Sequence, residues 1–283
     1  MSGFSFDWLT LREPVDALSR HPDVLRRLQI AFASHRDLRV VDLGCGTGAN
    51  LRATACLLGP RQSWTLIDHD QALLDAAAVR LSAWADQSVE SAQGVVLHKD
   101  GRRLDVRFRH ADLARDLETS IGGAVDLITA SAFFDLVSSD FIEMFALIAA
   151  RYRSAVYAPM NFDGHQAFLP PHDADDTMLR AFNVHQTSDK GFGPAAGGEA
   201  GHRLVGSLTA LGYDIVTGDS PWLLGYEQQD LMQRTIGGIA MAVAEIGVIS
   251  GDVSTAWRMA RRSSGRVGHI DVLAIPGPAI GHP

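Results

Sequence analysis

An apolar run, Val40-Val41-Asp42-Leu43, passes directly into Gly44-Cys45-Gly46-Thr47-Gly48 and then into a stretch with helical character. No other part of the chain limits the fold as strongly. Three glycines at alternate positions remove the Cβ atoms from one side of the turn. The backbone there can take positive φ and come close to a flat or polar ligand. A strand, a glycine turn and a helix in this order predict an open α/β sheet that binds its ligand at the turn.

Two ligand classes use such a turn. Gly44, Gly46 and Ala49 satisfy the dinucleotide pattern, and Asp68 lies at the spacing of a ribose-binding acid. Asp42 argues the other way. A dinucleotide lays its pyrophosphate over the helix N-terminus, and a carboxylate two positions before the first glycine would repel it. A ligand with an ammonium and a sulfonium group would be attracted. S-adenosylmethionine is such a ligand.

The run Asp42-Leu43-Gly44-Cys45-Gly46-Thr47-Gly48 resembles motif I of the class I S-adenosylmethionine-dependent methyltransferases, and three later landmarks follow in the family's order. Trp64 to Asp70 reads as a second strand ending in an acid. Arg107 to Leu113 reads as a third strand ending in Asp-Leu. Ala124 to Ser131 reads as the fourth strand. The resemblance implies that Asp68 accepts from the ribose hydroxyls and that Asp112-Leu113 hold the adenine. The cofactor shell it implies is Asp42, Gly44, Cys45, Gly46, Gly48, Asp68, His69, Asp112, Leu113 and Ser131. Asp68 and Asp112 also suit helix caps. Cys45 reads as a packing residue, since nothing beside it would depress its pKa. These landmarks cover about the first half of the chain.

The family's fold is a Rossmann-like, doubly wound, seven-stranded and mostly parallel sheet whose last strand runs antiparallel. The pattern agrees with it: helices are predicted near 48–58, 70–87, 113–119, 139–151 and 199–211. Strands are predicted near 39–43, 64–68, 106–110, 125–130 and 154–159, with Tyr213 to Thr217 and His269 to Ile275 as the last two. Lys99-Asp100-Gly101 predicts a hairpin between 93 and 109. One domain of 1–283 is expected, with a helical cap over 1–37 and a cofactor core over 38–160. Insertions at 161–198 and 221–265 would face the substrate. In the cap, Pro14 is read as a first-turn residue of a helix interrupted near Pro22. Arg12 is a candidate partner for the cofactor's carboxylate, or for Glu13 or Asp16. Gly237-Gly238 suggests a kink within the second insertion.

Methyl transfer needs an aligned acceptor and, for a protonated acceptor, a base. His165 and His185 are the candidate catalytic residues, because imidazole titrates near neutrality. Asn161, Asn183, Trp222 and Tyr226 are candidate substrate contacts, and Phe192 sits in a glycine-rich strap, Lys190 to Gly198, that suits a lid. His172-Asp173 with Asp175-Asp176 reads as an exposed acidic turn, so no metal is expected. A net charge of −8 argues against a nucleic-acid surface. The short basic run Arg258 to Arg266 reads as a solvated helix end. The two cysteines, Cys45 and Cys56, suggest no disulfide framework. No signal peptide or membrane span is read from the pattern. The expectation is a cytoplasmic monomer or homodimer acting on a small-molecule acceptor at O, N or S. A dinucleotide-dependent oxidoreductase and a non-catalytic S-adenosylmethionine-binding module with a protein partner are the alternatives.

Overall fold

The computed structural model describes residues 5–278. Two helices come first, α1 (Phe6–Ser19) and α2 (Pro22–Phe32), followed by β1 (Asp37–Leu43), α3 (Ala49–Thr54), β2 (Arg61–Asp68) and α4 (Gln71–Trp84). A meander of β3 (Gln87–Ser91), β4 (Gly94–Lys99) and β5 (Arg102–His110) leads to α5 (Leu113–Ile121), β6 (Leu127–Thr129), α6 (Ser139–Tyr152) and β7 (Ala155–Leu169). The chain ends with α7 (Asp175–Gln186), α8 (Ala200–Ala210), β8 (Tyr213–Asp219), β9 (Trp222–Leu224), α9 (Gln229–Ile246), α10 (Gly251–Met259) and β10 (Ser264–Pro276).

The ten-stranded sheet has the order β3-β4-β5-β2-β1-β6-β7-β10-β8, with β9 paired to β10. From β5 to β7 neighbouring strands are parallel, and β10 enters antiparallel between β7 and β8. The chain winds from β1 outward through β2 and β5, then returns to β6 on the other side of β1. That reversal falls at the carboxyl ends of β1 and β6, the place where open α/β sheets bind ligands. The glycine turn lies there.

The central strands are apolar on both faces because helices cover both. Val41, Leu43 and Ile128 pack with Phe134, Phe145 and Leu204 on one face, while Val40, Leu66 and Leu104 pack with Leu28, Leu51 and Leu81 on the other. A third cluster, built from Phe168, Met178, Trp222, Met232, Ile236 and Trp257, joins α7, α9 and α10 to the far ends of β7 and β10. Trp8, Leu11 and Val15 of α1 pack against that third cluster.

Several boundaries differ from the sequence expectation. Pro14 lies inside α1, because Ser5 caps the helix at Trp8 N (3.2 Å) and the apolar face already begins at Trp8. The segment 161–198 is not one long loop. β7 runs on to Leu169 by pairing with the first half of β10, and α7 follows. α9 continues through Gly237 and Gly238, which have open space beside them and no reason to bend. Arg262 is no solvated helix end: it is buried and pairs with Asp175 at 2.8 Å, while Trp257 Nε1 donates to the same carboxylate at 2.7 Å. The acidic turn therefore anchors α7 to α10. β3 was not foreseen, since its five residues are all exposed and carry no apolar pattern.

Asp271 of β10 ties the N-terminal helices to the sheet. Its buried carboxylate accepts from His21 N and Met160 N, both at 2.9 Å. Asp271→Ala leaves the buried Met160 N–H and the part-buried His21 N–H without an acceptor, so a loss of about 2–5 kcal/mol in unfolding free energy is expected. Urea denaturation checks this, and a loss below about 1 kcal/mol would contradict the anchoring role.

Candidate functional site

The turn after β1 has the backbone its glycines permit: Gly44, Gly46 and Gly48 stand at φ 61°, 52° and 76°. Gly48 then starts α3. Asp68, at the end of β2, holds the turn in place. Its Oδ2 accepts from Gly46 N at 2.8 Å and its Oδ1 from Asp70 N at 3.0 Å. A carboxylate has lone pairs beyond those two. Asp70 and Asp112 are the side chains that cap α4 and α5, accepting from Ala72 N and Ala114 N. Leu113 is buried as the first residue of α5, and Ser131 is half-buried just after β6. His69 is largely exposed, 3.3 Å from Asp68 Oδ1. Cys45 is buried, and its thiol is pushed well up by burial and by the Asp42 and Asp68 charges, which leaves it unreactive.

Asp42 is fully enclosed beneath the turn. Its Oδ1 accepts from Asn50 Nδ2 at 2.8 Å, and its Oδ2 has no partner. Asn50 Oδ1 in turn accepts from buried Arg20 at 2.9 Å, so the carboxylate is linked to a cation through one amide. Burial pushes the Asp42 carboxyl up to about 7, against the Asn50 hydrogen bond and the Arg20 charge.

Two apolar side chains lie on the glycines. A Cβ on Gly44 would meet the Phe133 ring at 2.8 Å, and one on Gly46 would meet Leu9 of α1 at 3.3 Å. Phe133 in turn packs edge-on against Phe141 and against Phe192 of the glycine-rich strap, with centroids 5.8 Å apart for the latter pair. The strap therefore touches the turn through one ring. α1 is held down by Glu13, which binds Arg52 and Arg80 at 2.6 and 2.7 Å. Arg12 pairs with Asp16 at 2.7 Å and lies over the Trp222 ring.

Sequence reasoning missed a polar group beside the turn. Asp135 follows Phe133 by two residues and is buried, with Oδ1 unpartnered. Burial raises its carboxyl to about 6, although its own and the Phe162 backbone N–H groups and Arg12 pull it down. His269 of β10 is also buried with Nδ1 unpartnered. It is held between Trp222 and Phe162 at centroid distances of 5.1 and 6.4 Å. Burial and the Arg12 charge lower the imidazole to about 3, so it is neutral. Ala132, three residues after β6, and Met160, inside β7, are non-glycine residues at φ 51° and 63°. Backbone strain of this kind gathers at functional sites. Nothing in the sequence marks His269, a lone histidine in an apolar strand. Asp135 lies just after the fourth strand, where no sequence pattern singles it out.

The other candidates are dispersed. His165 stands in solvent 3.4 Å from Asp163. His185 binds Glu245 at 3.0 Å and has Lys190 beside its other ring nitrogen. Asn183 donates to Gly164 O, and Asn161 is buried with its amide donating to Ala158 O and Ile270 O. Trp222 is buried and donates to Asp16 at 2.8 Å, whereas Tyr226 is 92% exposed.

No family model and no curated protein matches the sequence. Solved structures do. A cyclopropane-fatty-acyl-phospholipid synthase-like protein from Lactobacillus casei is 15% identical, with a TM-score of 0.51 over 93% of this chain and 99% of that one. The YcgJ protein from Bacillus subtilis is 13% identical, with a TM-score of 0.50 over 92% of this chain and all of the other. At such identities the likeness is one of fold. The strand order from β5 to β8, with its reversed β10, is that of the class I methyltransferase fold named from the sequence.

The buried carboxylates set a testable pH dependence. With its carboxyl raised to about 7, Asp42 holds its proton more tightly folded than unfolded. Its contribution therefore stabilises the fold most at low pH and is lost as pH rises through about 7. His269, lowered to about 3, contributes stability that is lost as pH falls from about 6.5. Comparing the wild type with Asp42→Asn isolates the first effect. Between pH 5 and 8 the difference in unfolding free energy is expected to move in the variant's favour by on the order of 2–4 kcal/mol. A pH-independent difference would contradict the buried, proton-retaining carboxylate.

Proposed function

We propose that this chain is a methyltransferase that binds S-adenosylmethionine over the glycine turn and transfers its methyl group to a small-molecule acceptor. The observation that carries the reading is the pairing of an unpartnered oxygen on Asp42 with a turn of three positive-φ glycines at the reversal of strand order. A buried carboxylate oxygen with no donor suits the cofactor's ammonium group, and the Cβ-free turn suits its adenosyl part. Asp68, already positioned by Gly46 N, has lone pairs left for ribose hydroxyls.

The bound cofactor would supply an activated methyl group on a positively charged sulfur. The chain's own residues would align the acceptor and keep water out, which is where most of the rate advantage of such a transfer lies. Leu9 and Phe133 must first withdraw from the glycines, so α1 and the loop after β6 form the entrance. The dinucleotide alternative is weaker on the sheet. That fold has the order 3-2-1-4-5-6 without a reversed strand, whereas β10 here runs antiparallel between β7 and β8. A cytoplasmic location, and a monomer or homodimer, remain part of the proposal.

Calorimetric titration with S-adenosylhomocysteine and with NAD tests the reading. Binding of the first and not the second is expected, and the reverse would overturn the assignment. Asp68→Ala is expected to weaken S-adenosylhomocysteine binding by about tenfold or more, because charge-assisted hydrogen bonds are lost. Leu9→Ala is expected to tighten binding by about threefold to tenfold, since a side chain that competes for the turn lowers the fraction of binding-competent protein. Unchanged affinity in either variant would contradict the corresponding role.

A further inference from the structure

The unpartnered groups beside the turn carry the reading further. Asp135 Oδ1 and His269 Nδ1 are buried polar atoms without a hydrogen bond, on residues that are each more than nine-tenths buried. Such atoms are rare in folded proteins and expensive, and each calls for a ligand or a water. They belong to one neighbourhood. The Arg12 guanidinium acts on both groups, the Phe162 backbone N–H faces Asp135, and the Phe162 ring packs against His269. Trp222 packs against His269 as well and itself packs against Trp8 of α1.

This neighbourhood continues the cofactor turn. Asp135 lies two residues beyond Phe133, which covers Gly44. Arg12 lies three residues beyond Leu9, which covers Gly46. Both covering side chains are thus on the segments that carry Asp135 and Arg12. The strained residues Ala132 and Met160 sit at the same end of the sheet, and Ala132 N is bonded to Pro159 O at 3.0 Å. Arg12 and Asp16 already neutralise each other, so the charge left over is that of Asp135.

Resting on the methyltransferase reading, we infer that Asp135 receives the acceptor's proton, and that the acceptor is a small ring-bearing compound attacked through an O–H or N–H group. The acceptor's lone pair forms the bond to the methyl carbon, and the carbon–sulfur bond breaks with its electron pair remaining on sulfur. The proton lost by the acceptor passes to Asp135 Oδ1 and from there to solvent. Trp8, Trp222 and Phe162 provide the aromatic surface for the ring. A donor on the acceptor meets the demand that the fold leaves open at Asp135, which an acceptor without an N–H or O–H does not.

The probes are 4-nitrophenol and nitrobenzene, which share a ring and differ in the hydroxyl. Binding to protein saturated with S-adenosylhomocysteine is read by quenching of tryptophan fluorescence. The wild type is expected to prefer 4-nitrophenol by about tenfold, a charge-assisted hydrogen bond. In Asp135→Leu the preference is expected to fall to within about twofold, with S-adenosylhomocysteine affinity unchanged. If that variant does not fold, Asp135→Asn serves: the nitrophenol absorption band shifts to longer wavelength on the wild-type carboxylate and not on the amide. No preference in the wild type, or a preference that survives the loss of the carboxylate, overturns the inference. Failure of S-adenosylhomocysteine itself to bind instead removes the methyltransferase reading on which it rests.

Discussion

The buried carboxylate of Asp42 is the constraint around which the rest of this structure is arranged. A charge with no exposure at the end of a central strand is costly unless it is compensated. Here the compensation is incomplete: Asn50 satisfies one oxygen, and Arg20 reaches it only through Asn50. The same amide donates to Thr129 at 2.9 Å, so β1, β6, α3 and the end of α1 meet at one side chain. Arg20 also donates to Thr54 at 2.9 Å. The polar network that stabilises Asp42 is thus the one that positions α1 over the turn. On the proposed reading, stability and ligand access are coupled through it.

That coupling gives α1 two roles. Its Trp8, Leu11 and Val15 belong to the apolar cluster shared by α9 and the ends of β7 and β10, while Leu9 lies on Gly46. Phe192 acts similarly from the other side, through Phe133. Leu9 and Phe192 of the cover are half-buried, and α1 is held by one ion-pair cluster at Glu13, whereas Phe133 belongs to the buried core, so freeing Gly44 requires that ring to repack. Beneath the cover, Asp42, Asp135 and His269 keep unmet hydrogen-bonding capacity.

The sheet was legible where local pattern and tertiary burial agree. β1, β2 and β6 carry apolar residues toward their carboxyl ends, and the structure places them in the centre with those residues buried. The reversed last strand also emerged as expected, because His269 to Ile275 is apolar enough for an interior position. Legibility failed where a segment is defined by its partner. β7 extends past Asn161 only because β10 supplies hydrogen bonds up to Ser264, and the sequence from Asn161 to Leu169 has polar residues that mimic a loop. α1 begins eight residues before Pro14 because tertiary contacts outweigh one proline. In the candidate site, spacing marks the glycine turn and Asp68, and the structure brings the two together through the Gly46 N–H. Spacing does not mark Asp135 and His269, since an orphaned polar atom is a property of packing and not of composition.

The most direct test is a crystal structure of the protein with S-adenosylhomocysteine. The account requires the ligand's ammonium group within hydrogen-bond distance of Asp42 Oδ2, its adenosyl part over Gly44 and Gly46, and both Phe133 and Leu9 displaced from those glycines. A ligand bound elsewhere, with Asp42 still sealed beneath an unmoved α1, would contradict it.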